Sequence, residues 1–470
     1  MDTFVVVGGD AAGMSAASKA KRDDPDMAVV VLEKGEWVSY GACGLPYYIK
    51  GEIQSLEDLV TMTPEEFREE RDIDLRTGHE VTALDVEDRT VTAVADGEES
   101  TIAYDHLLLA TGAEALPPPV AGTDLEGVFT LGSMSDGEDL REYVARARSE
   151  GSLHQPDRGP ACRYLEDGAG TVGIVGGGYI GIEMAEALVA NDFSVHLFQR
   201  SERILTHFSE DSAAVVAAHL EDQGVTVHTG QPVTALEGSG CVEAVRAGET
   251  TVPVESVLLG TGVRPRTALA EAAGIDIGET RAIATDAYHE TSAPAVYAAG
   301  DCAEATHAVT GEPTHAPLAL TANRHGRAVG QTVAGTPTRG GPVAETAALK
   351  AFDVEVARTG IVLPERAREA GFDPVSETVE ARSRAGYYPE GGDVTVTLTA
   401  DRETGRLLGA SLVSDYGEGA VHRSHAAVAA LHEGATVADL EAYDLAYAPP
   451  FNTTWDPLLT AAKVLGGRLD

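Results

Sequence analysis

The sequence predicts an α/β protein: two Rossmann-like dinucleotide-binding units, then a C-terminal α+β domain. Three observations predict it. FVVVGGDAAGMSAASKAKR reads as strand, glycine turn and helix. The same grammar returns at TVGIVGGGYIGIEMAEALVANDFSVHLFQR. From about residue 336 the apolar pattern changes to the alternation of antiparallel strands. A single glycine fingerprint is weak evidence, but two in strand–turn–helix context in one chain mean two bound nucleotides.

In order along the chain, the apolar run Phe4–Val7 leads into Gly8, Gly9 and Gly13, which open a helix of small residues. Gly8 and Gly13 let the backbone approach a pyrophosphate resting on the helix N-terminus, while Asp10 stands where the fingerprint has its middle glycine. The next strand, AVVVLEKG, ends in Glu33, placed to accept the hydroxyl hydrogens of an adenosine ribose. YDHLLLATGA and TSAPAVYAAGD are two further buried strands of this first unit, ending in Thr111-Gly112 and in Asp301. The second unit, with Gly176, Gly178 and Gly181, interrupts the first and closes at SVLLGTGVRPRT. The expected division is 1–113 with 265–335 for the first nucleotide, 114–264 for the second and 336–470 for the last domain. Segment 149–170, rich in Gly, Pro and charge, reads as a surface loop holding Cys162. TAALKAFDVEVARTG and DVTVTLTADRETGRLLGASLV alternate like strands, and HRSHAAVAALHEG reads as a helix.

A chain of 470 residues is too long for one core. It carries 75 acidic and 34 basic side chains, a formal net charge of −41, and only six of the cations are lysines. Such a surface repels nucleic acid and anionic membranes. With lysine depleted, it suits a cytoplasm full of molar salt, so a halophilic source is expected. No apolar run reaches the length of a membrane span, and the start reads as a mature N-terminus, so a cytoplasmic protein is expected. Cys43, Cys162, Cys241 and Cys302 lie far apart, without metal-ligand spacing or a disulfide framework. No metal site is expected, His422, His425 and His432 being as well explained by a polar helix face.

Taken together, GGDAAG, Glu33, SYGACGLPYY, ATGA, GGGYIG, VYAAGDCAE, ANRHGR, AGYYP and YAPPF resemble the single-cysteine pyridine nucleotide–disulfide oxidoreductases. That group includes coenzyme A–disulfide reductases, NADH oxidases and NADH peroxidases. The resemblance implies FAD on the first unit, NAD(P)H on the second and a dimerisation domain, in a homodimer with shared active sites. It implies flavin contacts from Gly8, Gly13, Glu33, Lys34, Val81, Thr111, Gly112 and Asp301. It implies pyridine nucleotide contacts from Gly176, Gly178, Tyr179, Ile180, Gly181, Gln199, Arg200 and Gly262. At the second strand end Gln199 replaces the carboxylate that would repel a 2′-phosphate, and Arg200 and Arg203 follow, which favours NADPH over NADH.

Cys43 lies in a stretch where disulfide reductases of the two-cysteine kind need a pair, and Tyr48 stands in the second place. It is expected near the N-terminus of a helix CGLPYYI, which would depress its pKa. Oxidised, a lone cysteine becomes a sulfenic acid or carries a mixed disulfide with a small thiol. Ala11 occupies the position of the histidine that oxidases and peroxidases place against a sulfenate, which favours the mixed disulfide. Ser15, Lys19 and Arg22 recur on one helix face, where coenzyme A–disulfide reductases bind their substrate. The resemblance adds Ser39 and Arg71 to that substrate set. It makes Tyr387 and Tyr447 the tyrosines that reach the partner subunit's cysteine, where a phenol can protonate a leaving thiolate. Two departures bear on the substrate: Ala42 replaces an asparagine, and Trp455 stands near the place of a lysine. The expected activity is NAD(P)H- and FAD-dependent reduction of coenzyme A disulfide, or a related small disulfide, through a Cys43 mixed disulfide. The rivals are an NAD(P)H oxidase using a Cys43 sulfenic acid and an electron-transfer or redox-sensing flavoprotein.

Overall fold

A computed structural model of the chain describes residues 2–150 and 170–469, so Cys162 and most of the expected 149–170 loop lie outside the described residues. The first unit is a five-stranded parallel sheet in the order Val296–Ala298, His106–Leu109, Thr3–Val7, Ala28–Leu32, Asp74–Arg76. Its strands are continuous Val/Leu runs because helices and an antiparallel sheet cover both faces, and Phe4, Val5 and Val6 are fully buried. Each such side chain contributes roughly 1.5–3 kcal/mol by leaving water. The helix Ala11–Asp23 packs closely along Ala319–Val333. Small residues set that distance: a Cβ on Gly326 would stand 2.1 Å from the Ala12 carbonyl oxygen, and one on Gly330 2.4 Å from that of Ala16.

The second unit repeats the plan in the order Thr226–His228, Ser194–Phe198, Thr171–Val175, Ser256–Leu259, Val128–Phe129. Each unit also carries a three-stranded antiparallel sheet, Glu80–Asp85/Thr90–Ala95/Glu98–Ala103 in the first and Val233–Ser239/Cys241–Ala247/Thr250–Pro253 in the second. Neither was foreseen. One had a legible signal: Asp96-Gly97 turns with both residues at positive φ, the two-residue turn that Asp-Gly favours. The two crossings between the units run side by side as an antiparallel ribbon, Ala113–Ala115 against Val263–Pro265.

The C-terminal part is a five-stranded antiparallel sheet in the order Ala347–Ala351, Val354–Gly360, Leu407–Asp415, Asp393–Asp401, Pro374–Arg382, covered by the helices Ala420–His432, Val437–Glu441 and Pro457–Leu469. The edge strand Pro374–Arg382 was not foreseen, because its solvent-facing positions are the polar Thr378, Glu380 and Arg382 and its apolar residues are few. Among the described residues no helix is long and apolar enough to cross a membrane, and no three His, Cys, Asp or Glu side chains gather as metal ligands.

Candidate active site

The two glycine turns match to within tenths of an ångström. Gly8 has φ +111° and Gly176 φ +118°; a Cβ would stand 2.1 Å from the Ala110 carbonyl oxygen in one and 2.2 Å from that of Gly260 in the other. A Cβ on Gly13 or Gly181 would stand 1.9 Å from the Gly8 or Gly176 carbonyl oxygen. The helices that follow, Ala11–Asp23 and Tyr179–Val189, have no side chain capping their first turn. Their leading N–H groups are therefore free for phosphate oxygens, and at Gly178 and Gly262 a Cβ would meet nothing within 4 Å. These cradles fit a dinucleotide each.

Glu33 follows its strand and accepts from Gly9 N–H at 2.8 Å and Gly35 N–H at 2.7 Å. A carboxylate has about four acceptor directions, so capacity for a ribose remains. Lys34 beside it is exposed, and Val81 packs under the first unit's core. Gln199 holds the equivalent place, its side-chain oxygen accepting from Gly177 N–H at 3.1 Å. Arg200 is exposed, while Arg203 is held by Glu210 at 3.2 Å. Thr111 donates to the Arg266 carbonyl at 2.7 Å, and Gly112 turns the chain at φ +68°. Burial pushes the Asp301 carboxyl up, and also that of Asp10, which reaches about 6 with Glu33 and Asp301 adding repulsion. Asp10 accepts from Tyr40 N–H at 3.2 Å, tying the first glycine turn to the segment that carries Cys43.

Cys43 is exposed and lies in a short 3-10 turn, Ala42–Gly44, that runs directly into the helix Leu45–Lys50. Its thiol is pushed up, first by desolvation and then by the carboxylates of Glu183 and Asp301, against the depression that a helix start alone predicts. The other free cysteine among the described residues, Cys302, is buried and donates to the Leu109 carbonyl at 3.3 Å. Cys241, expected as an incidental thiol, is disulfide-bonded.

The expected anion-binding face is largely engaged within the chain. Ser15 donates to Asn323 Oδ1 at 2.6 Å, and Lys19 pairs with Asp23 at 2.6 Å. Lys21 pairs with Asp72 at 2.7 Å. Arg22 is exposed, Arg71 is half-buried, and Ser39, at φ +49°, shares a hydrogen bond with Thr61. Tyr387 and Tyr447 come together, hydroxyl to hydroxyl at 3.1 Å. That bond holds the Tyr447 phenol below its usual range and Tyr387 above it.

Sequence reading missed two carboxylates on the second nucleotide helix. Glu183 is pushed up to about 7 by burial and accepts from the Tyr47 hydroxyl at 3.4 Å, on the helix after Cys43. Glu186, 4% exposed, binds Lys50 at 2.7 Å, Lys350 at 2.6 Å and Phe352 N–H at 2.7 Å. Burial raises Glu186, but the two lysines and the amide outweigh it and hold the carboxyl below its ordinary range. Two acids inside the apolar run YIGIEMAEALV were the available signal. Tyr179 on the same helix accepts from Arg358 Nε at 3.1 Å, while Ile180 is half-buried.

Comparison with known proteins agrees with this architecture. Residues 2–326 match the pyridine nucleotide-disulphide oxidoreductase family and residues 346–457 its dimerisation domain. The chain is 39% identical to an NAD(P)H sulfur oxidoreductase (CoA-dependent) of Pyrococcus abyssi, over 98% of both chains. It is 33% identical to an NADH oxidase of Methanocaldococcus jannaschii, over 98% of this chain and 97% of that one. An NAD-dependent persulfide reductase from A. fulgidus superposes with a TM-score of 0.92 at 33% identity, covering 99% of this chain and 83% of that one. With two matched nucleotide cradles, an exposed cysteine beside the first and a C-terminal dimerisation domain, the chain belongs to the pyridine nucleotide-disulphide oxidoreductase family, whose cofactors are FAD and NAD(P)H.

Proposed function

We propose that the protein reduces coenzyme A disulfide, or a closely related small disulfide, with NADPH through a mixed disulfide on Cys43. One observation carries this reading: Cys43 is exposed, and the other free cysteine described, Cys302, is buried with its thiol engaged. Among the described residues no second exposed free thiol is present, which supports a small-molecule thiol as the resolving sulfur. FAD, when bound, relays two electrons from the pyridine nucleotide to sulfur. Cys43 thiolate attacks the substrate disulfide, one thiolate leaves and takes a proton, and the mixed disulfide is reopened by those two electrons. The balance is NADPH, one proton and one disulfide in; NADP⁺ and two thiols out. Tyr387 and Tyr447 supply the proton or orient the leaving thiolate, reaching the cysteine of the partner in a homodimer. Exposed Tyr387, Tyr447, Phe451 and Trp455 support that dimer. The name of the Pyrococcus abyssi relative supports coenzyme A as the thiol.

The amide of Gln199, with exposed Arg200 beside it, supports NADPH. We assign 1–113 with 265–335 to the flavin unit, 114–264 to the pyridine nucleotide unit and 336–470 to dimerisation, in a cytoplasmic protein. Its −41 charge suits molar salt; the thermal midpoint should climb as KCl is raised, and a flat response would remove that reading. The deciding test is the intact mass of air-oxidised protein under denaturing, non-reducing conditions. An adduct of coenzyme A mass, lost with dithiothreitol and absent in Cys43→Ser, is expected. A single added oxygen on Cys43 would instead favour the oxidase named among the relatives. An unmodified thiol would favour an electron carrier.

A further inference from the structure

The tyrosine pair is exposed, Tyr387 at 77% and Tyr447 at 47%, and its two rings sit on separate loops. Something beneath must hold those loops in register, because two solvent-facing phenols do not fix a 3.1 Å contact by themselves. One side chain reaches both loops. Arg423, on the first turn of the helix Ala420–His432, donates through Nη2 to the Ser383 carbonyl at 2.9 Å and to the Phe451 carbonyl at 3.1 Å. Ser383 lies on the Tyr387 loop and Phe451 on the Tyr447 loop. The same guanidinium donates through Nη1 to the Glu418 carbonyl and through Nε to Asp456 Oδ2 at 3.0 Å. Arg423 is 11% and Asp456 4% exposed, so this pair is desolvated. Asp456 in turn accepts from Asn452 Nδ2 at 2.5 Å and from Leu458 N–H at 2.8 Å, and Glu418 binds Ser383 Oγ and Arg384. A cavity of about 320 Å³ lies beside the guanidinium, lined by His422, Phe451 and Asn452 among others, giving loosened loops room to move.

We propose that Arg423 is a positioning residue that sets the Tyr387–Tyr447 hydroxyl pair by fastening both loops to one planar fork. The proposal rests on the catalytic reading of those tyrosines. A lysine cannot replace it, since three donors on a single atom cannot span four acceptors spread around a plane. Arg423 touches neither phenol, so its effect runs entirely through their placement.

The test is a double-mutant cycle on the flavin-loaded dimer, reading kcat and KM for coenzyme A disulfide with NADPH. Tyr447→Phe is expected to lower kcat about 100-fold, the low end of a positioned proton-transfer contribution. Arg423→Lys is expected to lower kcat about tenfold with KM for NADPH unchanged, and to add nothing once Tyr447→Phe is present. Asp456→Asn, which keeps the shape and weakens the anchor, should repeat that non-additive pattern and covers the case in which Arg423→Lys fails to fold. Additive losses, or a change confined to KM for NADPH, would overturn the positioning role while leaving the tyrosines catalytic. Parent-like turnover of Tyr447→Phe and Tyr387→Phe would overturn the catalytic reading of the tyrosines, and the positioning role with it.

Discussion

The two nucleotide cradles are the same object built twice and then put to different uses. Gly8 and Gly176, Gly13 and Gly181, and the strand-end contacts of Glu33 and Gln199 superimpose in kind and distance. They differ at two places. The turn residue is Asp10 in one and Gly178 in the other, and the strand-end residue is a carboxylate in one and an amide in the other. In the first cradle the extra side chain reaches Tyr40, so the flavin turn also anchors the Cys43 segment. In the second, the turn stays bare and the helix behind it carries the contacts instead, through Tyr179, Glu183 and Glu186. The backbone fixes where a pyrophosphate goes, and the side chains around it decide what else the turn is connected to.

The sharpest way to break the pairing is at its glycines. Gly13→Ala drives a methyl to 1.9 Å from the Gly8 carbonyl, so the first unit should lose flavin and fold poorly. Gly178→Ala meets nothing within 4 Å; it should fold as the parent and raise only KM for the pyridine nucleotide. Flavin absorbance and thermal unfolding of the purified variants separate these outcomes, and equal damage in both would end the distinction. Next in size, Gln199→Glu should make the second cradle like the first. NADPH kcat/KM should fall about 10- to 100-fold, a cost of roughly 1.4–2.8 kcal/mol for a carboxylate facing a phosphate, while NADH is affected less. A parallel loss for both coenzymes would refute the assignment of Gln199 to the 2′ position.

The remaining difference, at Asp10, shows in stability rather than in turnover. Its carboxyl titrates near 6 in the folded chain against 3.8 ordinarily, so ionising it costs stability. The sign follows: this contribution is fully present below pH 3.8 and is lost as pH rises through about 6. Asp10→Asn keeps the acceptor for Tyr40 N–H and removes the charge, so at pH 8 it should stabilise the flavin-free protein by up to about 3 kcal/mol. At pH 4 the gain should nearly vanish. Denaturant melts at the two pH values check this, and a gain independent of pH would locate the effect elsewhere.

The glycine turns, the buried strands and Cys43 were legible because each writes a local pattern: a fingerprint, an apolar run, a sulfur between glycines. The helix start after Cys43 was legible from Pro46, but the burial and the carboxylates of Glu183 and Asp301 that push its thiol up were not, because they come from distant parts of the chain. Ser15, Lys19 and Arg22 share one helix face in the sequence, yet Asp23 takes Lys19, and Asp72 takes the neighbouring Lys21. In a chain with so many acids, a carboxylate within reach leaves no periodic trace. Arg423 left no trace for a related reason, and Glu186 showed only as an acid inside an apolar run. Their partners are Lys50, Lys350, Ser383 and Phe451, brought together by topology that a one-dimensional pattern does not contain.

The ribbon of Ala113–Ala115 against Val263–Pro265 has a consequence for how such proteins can be rebuilt. Entry and exit of the inserted unit lie three paired residues wide, so the chain leaves and re-enters its host through a single doorway. A replacement unit need match only two neighbouring ends, as a cartridge fits a socket, for the host sheet to close around it. Exchange of coenzyme preference by transplanting the whole insert is therefore geometrically simple. The contacts that would have to be rewritten include those of Tyr179, Glu183 and Glu186 on one helix and of Asp211, Ser212 and His219 on another.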